Sequence, residues 1–197
     1  MADVTVAPEQ FSLIQFEAGE IAAEVGRIAD EIGMGDRPIT VEVDEYSPFG
    51  YSHVSSLDPL TIKVESGAFE DAKHPRHLSP TSVTSVMGRL LFRARDRLDP
   101  AFGAPPPDEE LSLAQHVAWD VYAVGRAERI GYPGQRERRR YHFRVRHGFT
   151  DVADTVFDRL WSGTDLTWAD IDAASAEAAA AKPAPPKRAR AKAGKGR

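Results

Sequence analysis

Two short segments in the first third of the chain alternate between apolar and polar residues, and this pattern constrains the fold most strongly. Each places three apolar residues on one face: Ile39, Val41 and Val43 in the first segment, and Leu60, Ile62 and Val64 in the second. Because successive side chains of a strand point to opposite faces, both segments predict half-buried strands. Residues 51–54 are a candidate third strand. A sheet this small needs helices against one face.

The remaining apolar residues follow the period of helices. Spacings of three and four residues predict a long amphipathic helix over 9–33, and the same stripe would also fit a short coiled-coil seam in a homodimer. Ser79, Asp108 and Thr167 are suitable N-caps for three further helices, and another helix is predicted from residue 150 or 151 to 163. These segments predict an α+β fold, with a long N-terminal amphipathic helix, two or three strands and three to five further helices.

Length and composition narrow the organisation of the chain. With 197 residues and 42% hydrophobic content, it is expected to form a single α+β domain over residues 1–181, followed by a tail. The sequence contains no cysteine, which excludes disulfides, thiolate metal sites and a thiol nucleophile. There is no secretory leader pattern and no run of about 18 apolar residues, so we expect a cytoplasmic protein without a membrane contact.

Charge is strongly segregated along the chain. The formal net charge is −5, but residues 1–71 carry −12, residues 72–181 are neutral, and residues 182–197 carry +7. Such an arrangement predicts different partners for the two ends, or an intramolecular contact between them.

The last sixteen residues, "KPAPPKRARAKAGKGR", contain only five residue types and are expected to be disordered. They resemble in composition the tails of linker histones and of some bacterial nucleoid proteins. That resemblance implies nonspecific contact with DNA or RNA phosphates through mobile cations. The alternative is a solubilising tail that folds back on the acidic N-terminal region. The candidate binding residues here are Lys182, Lys187, Arg188, Arg190, Lys192, Lys195 and Arg197.

A second basic segment, "RERRRYHFRVRHGF" over 136–149, interleaves six arginines with aromatic residues. Its residues alternate as a strand would, but its composition and its neighbours favour a helix. The arginines have three candidate roles: phosphate binding with Tyr141 or Phe143 available for base stacking, pairing with the acidic N-terminal region, or simple solvation. We favour the pairing. The candidate nucleic-acid-binding residues in this segment are Arg138, Arg139, Arg140 and Arg144.

No complete catalytic or cofactor-binding motif is present, so neither a cofactor nor a metal is expected. His74 and His77, near Asp71, fit an exposed loop better than a zinc site, because Pro75 prevents their presentation on a helix. The order of elements, with an edge-like strand at 60–65 before a long helix, resembles that of zincin metallopeptidases. The stretch corresponding to their HExxH motif would be "GRLLF" at 88–92, which lacks both histidines and the glutamate, so the resemblance implies at most an inactive relative.

The sequence therefore favours a non-catalytic binding protein that contacts nucleic acid, or a nucleoprotein assembly, through the basic tail. The alternative is a degenerate, zinc-free relative of zincin metallopeptidases that acts through protein–protein contacts.

Overall fold

The computed structural model describes residues 2–182, which form six α-helices and a four-stranded sheet. The strands are β1 (Val4–Ala7), β2 (Ile39–Asp44), β3 (Ser52–Leu57) and β4 (Leu60–Glu65). The helices are α1 (Ala18–Glu31), α2 (Pro80–Leu98), α3 (Leu113–Arg129), α4 (Arg136–His147), α5 (Asp151–Ser162) and α6 (Trp168–Ala180). This combination confirms the predicted α+β class.

The sheet has the strand order β1-β2-β4-β3. Strands β1, β2 and β4 are parallel, with Val41 opposite Ile62, and β3 pairs antiparallel with β4. Strand β4 is therefore an interior strand, and the expectation of an edge at 60–65 is wrong; β3 is the edge on that side. The first strand, "VTVA", was not predicted because four residues are too few for an alternating pattern to stand out.

The N-terminal helix is shorter than predicted. It begins at Ala18, nine residues later than the apolar spacing suggested, although Ile14 before it is buried in the core as that spacing required. The carboxylate of Glu45 accepts hydrogen bonds from the backbone N–H groups of Ser12 and Leu13, at 2.8 Å each. These backbone N–H groups are bound to a side chain outside the segment, so they need no helical partner. The apolar residues of the segment are therefore buried without helix formation.

Side-chain caps set the beginnings of most of the later helices. Ser79, Thr150 and Thr167 each accept a hydrogen bond from a backbone N–H three residues further on. This confirms the predicted caps at Ser79 and Thr167, and Thr150 caps the helix that was predicted to begin at 150 or 151. Asp108, however, is not the cap of α3. Ser112 performs that function, while the carboxylate of Asp108 lies in a 3-10 turn and binds two arginines of α2 at 2.6 Å. Charge-assisted bonds to arginine outweigh a helix cap here.

Buried side chains form two clusters. One lies between the sheet and helices α1 and α2, and the other lies among α3, α5 and α6, with Phe143 of α4. Helix α3 belongs to both, because Ala123 and Ala127 join the sheet cluster while Trp119 and Tyr122 join the helical one. Helix α4 packs on the outside of the helical cluster, which leaves much of its surface exposed.

Candidate nucleic-acid interface

Helix α4 carries all six arginines of the second basic segment. Phe143 is fully buried, and its ring stacks on His147 at 3.9 Å and meets Phe157 edge-on at 5.9 Å. Tyr141, nearly opposite Phe143 around the helix, is 57% exposed. The helical alternative is therefore the correct one, and it divides the segment into a packed face and a solvent-facing one.

Half of these arginines are bound to helix α5. Arg136 and Arg140 both donate to Asp158, at 2.8 and 2.7 Å, and Arg144 binds both oxygens of Asp154 at 2.6 Å. Hydrogen bonding to Arg144 lowers the pKa of Asp154 below its ordinary value, against the opposing effect of burial. Two of the predicted phosphate-binding residues, at positions 140 and 144, are thus engaged within the chain.

The arginines of α4 form ion pairs within the chain, but the prediction that their partners lie in the acidic N-terminal region is wrong. Most of the acidic residues that face α4 belong to α5, which follows α4 after a short turn and packs directly against it, and Asp120 of α3 faces Arg139. On α1, Glu24 instead pairs with Arg27 one turn along the same helix. Helices α4 and α5 are adjacent in sequence and joined by a short connection, so the arginines of α4 lie close to the aspartates of α5 and pair with them.

The solvent-facing side of α4 combines cations with aromatic rings. Tyr141 and Phe149 are 57% and 64% exposed, and their rings contact each other edge-on at 6.0 Å. Arg138 and Arg146 are also exposed, and neither forms an ion pair with the part of the chain that the structure describes. We call the exposed residues of this side the α4 face: Arg138, Tyr141, His142, Val145, Arg146 and Phe149.

The first residue of the basic tail lies against the end of α4. A methyl group added to Gly148 would lie 3.3 Å from Cβ of Lys182, so Lys182 lies directly beside Gly148. The tail therefore leaves helix α6 beside the C-terminal end of the α4 face. The other predicted tail residues lie outside the described residues: Lys187, Arg188, Arg190, Lys192, Lys195 and Arg197.

A cleft of about 1300 Å³ adjoins the α4 face. Its walls are the edge strand β3, helix α2, the turn at 108–110 and helices α3 and α4, and Arg138, Arg139 and His142 belong to its lining. Arg139, a predicted nucleic-acid-binding residue, thus lies at the cleft and not on the exposed face.

Three arginines converge on the carboxylate of Asp120 of α3 in this cleft. Arg89 approaches both of its oxygens at 3.3 Å, Arg93 lies 3.1 Å away, and Arg139 lies 3.9 Å away. Burial alone raises the pKa of Asp120, but the three guanidinium groups outweigh it and bring this pKa to about 2. The carboxylate therefore stays ionised at neutral pH and holds three arginines from two helices at one point.

Two neighbouring basic residues, Arg139 and His142, have lowered pKa values. Burial lowers the pKa of Arg139, and Arg89 and Arg138 add to the effect against the attraction of Asp120. Burial also lowers the pKa of His142, together with repulsion from Arg138, Arg139 and Arg146. Because both effects lower its pKa below the ordinary value, His142 is mostly neutral at pH 7.

The histidines at 74 and 77 are exposed, as predicted. Nδ1 of His74 lies 3.5 Å from Asp71, and Nδ1 of His77 lies 3.2 Å from the carbonyl oxygen of Pro75. Within residues 2–182, no group of three or more histidine, aspartate or glutamate side chains could hold a metal ion.

The segment 88–92 is the one that would correspond to the HExxH motif of zincins. It is almost entirely buried in the core, apart from the partly buried Arg89.

Sequence reasoning missed Asp120, Arg89 and Arg93 as a cluster. Arg89 and Arg93 are spaced four apart on α2, so the helix itself places them on one face. That signal was readable in the sequence. The pairing with Asp120 depends on how α2 packs against α3, which the periodicity of either helix does not specify.

Comparison of the chain with protein-family models, with curated proteins and with solved structures found no match. Across residues 2–182, no helix has the length and apolar content needed to cross a membrane. Function must therefore be inferred from the chain's own surfaces.

Proposed function

We propose that this protein is a non-catalytic binding protein that contacts nucleic acid through its basic C-terminal tail, with the α4 face assisting. The observation that carries the proposal is that Lys182, the first residue of the tail, lies beside Gly148 at the C-terminal end of α4. A strand of nucleic acid held by the tail would therefore lie within reach of the exposed arginines and aromatic rings of this face.

Each part of this surface has a separate physical role. Tail cations bind phosphates by releasing condensed counterions, which gives affinity without base specificity. Tyr141 and Phe149 are exposed π-surfaces on which unpaired bases can stack, as on other single-strand-binding proteins. Since residues 1–181 carry a net charge of −12, attraction to a polyanion is confined to the tail and the arginines beside it.

The test compares binding of labelled single-stranded DNA by three full-length proteins across a salt series. In the first variant, the seven basic residues of 182–197 are replaced by glutamine, and in the second the tail residues are scrambled without changing composition. We expect the glutamine variant to lose most affinity and most of the salt dependence, and the scrambled variant to retain both. Equal affinity of the glutamine variant and the parent would overturn the proposal.

The second hypothesis is an inactive zincin-like protein acting through protein contacts. Its support is the order of elements, in which a long helix, α2, follows the strands; the edge strand expected at 60–65 is instead an interior one. A pull-down from lysate with and without nuclease separates the two hypotheses. Protein partners that persist after nuclease treatment favour the second, and partners lost with the nucleic acid favour the first.

A further inference from the structure

The cleft beside α4 borders a network of ion pairs in which arginines outnumber carboxylates. Arg93 and Arg97 share Asp108 at 2.6 Å each, while Arg89, Arg93 and Arg139 share Asp120. Four guanidinium groups are therefore balanced by two carboxylates, all with side chains less than a third exposed. Three other acidic residues line the cleft outside this network: Glu109 is exposed, and Glu70 and Asp71 accept hydrogen bonds from the backbone N–H groups of Arg76 and Lys73.

The arginines of this cluster retain unused donors. Arg139 donates no side-chain hydrogen bond within the described part of the chain, and its contact with Asp120 is an ion pair at 3.9 Å. Arg89 makes two long contacts of 3.3 Å with Asp120 and one of 2.9 Å with the hydroxyl of Ser52. Arg138 also lines the cleft, and its bond goes to Gln135 at 3.1 Å. Donors thus remain on two sides of the cleft, from α2 and from α4.

We propose that the cleft binds a small phosphate monoester, whose phosphate group lies between Arg89, Arg138 and Arg139. Planar guanidinium groups from two helices provide forked donors to several oxygens of the phosphate dianion. The volume of about 1300 Å³ exceeds that of a phosphate group, so there is room for the organic part of the ligand. Asp120 acts as the fixed anchor that holds the arginines in place.

This inference does not rest on nucleic-acid contact, because the tail is not needed and Arg89 and Arg139 lie in the cleft; Arg138 belongs both to the cleft lining and to the α4 face. The glutamine-tail variant described above should bind a phosphate monoester as well as the parent does. A failure of the nucleic-acid proposal would leave the cleft proposal standing, and the reverse also holds.

The test is calorimetric titration of the full-length protein with glycerol 3-phosphate and with inorganic phosphate, at constant ionic strength maintained with chloride. Arg139→Gln should weaken binding of glycerol 3-phosphate about tenfold or more, as expected for loss of a charge-assisted hydrogen bond. Arg138→Gln, at an exposed residue of the cleft lining, should also weaken binding of glycerol 3-phosphate. This second variant keeps the test valid if Arg139→Gln fails to fold. Arg159→Gln on α5 removes the same charge from a surface pair with Glu177 and should leave the affinity unchanged.

His142 gives an independent readout inside the cleft. Glycerol 3-phosphate should raise the midpoint of the His142 ring-proton titration in the parent protein, since a bound dianion offsets repulsion from the neighbouring arginines. Absence of binding by the parent, or equal affinities for Arg138→Gln, Arg139→Gln and Arg159→Gln, would overturn the proposal.

Discussion

Asp96 of α2 binds the guanidinium group of Arg126 of α3 through both oxygens, at 2.7 and 2.6 Å. The pair lies where the sheet-bearing part of the core meets the helical part, and Asp96 also accepts a bond of 2.8 Å from the indole of Trp119. Asp96 is 3% exposed. A carboxylate buried this deeply is tolerated because two guanidinium nitrogens and the indole N–H donate to it.

Removal of this carboxylate should be strongly destabilising. Asp96→Ala leaves the Arg126 charge without its partner, and we expect a loss of about 3–5 kcal/mol in the free energy of unfolding, measured by urea denaturation. Glu177→Ala is the control, because its pair with Arg159 at 2.6 Å is about half exposed and should change stability by less than about 1 kcal/mol. Similar losses in the two variants would contradict the account of the buried pair.

His147 should make stability depend on pH near neutrality. Its ring is fully buried, and its nitrogens lie 3.1 Å from the carbonyl of Phe143 and 3.0 Å from the hydroxyl of Ser175. Burial lowers the pKa of His147, and the nearby charge of Lys182 acts in the same direction against the Phe143 carbonyl. The unfolded state therefore binds a proton more readily, so stability is full above about pH 6.5 and falls as the pH decreases below it.

The measurement is the free energy of unfolding between pH 7.5 and 5.5. His147→Gln should flatten the decline, whereas His74→Gln, at an exposed histidine, should leave it intact. An identical decline in the parent and in His147→Gln would contradict this assignment.

The aromatic residues of the α4 face should distinguish single-stranded from double-stranded nucleic acid. Tyr141→Ala and Phe149→Ala each remove a stacking surface, worth about 1–3 kcal/mol per base, and should weaken binding of single strands more than of duplexes. Anisotropy titrations with both ligands would measure this difference. Phe49→Ala is the control, because Phe49 is 71% exposed in the loop between β2 and β3. The same effect from Phe49→Ala would refute a specific role for the α4 face.

The parts of the fold that were predicted are those specified locally. Alternation at 39–44 and 60–65 identified both strands, and caps such as Ser79 and Thr167 identified helix starts. The errors arose where a residue distant in sequence determines the local structure. Glu45 binds the segment before α1, across more than thirty residues of sequence, and keeps it out of the helix.

The candidate site likewise has some features that the local sequence specifies and others that depend on how the helices pack. The exposure of Arg138 and Tyr141 follows from the helical pattern once α4 is taken as a helix. The engagement of Arg140 and Arg144 depends on the packing of α5, and the convergence of arginines on Asp120 depends on the packing of α2, α3 and α4. Such contacts are properties of tertiary structure, and a residue pattern along one helix does not contain them.

The central claim is that the basic tail provides most of the affinity for nucleic acid. The direct measurement is the slope of log affinity against log salt concentration for single-stranded DNA, with the parent and the glutamine-tail variant. Each phosphate neutralised on a single strand contributes about −0.7 to that slope, so the parent should show a steep dependence and the variant a shallow one with much lower affinity. Equal slopes and equal affinities for the two proteins would contradict the claim.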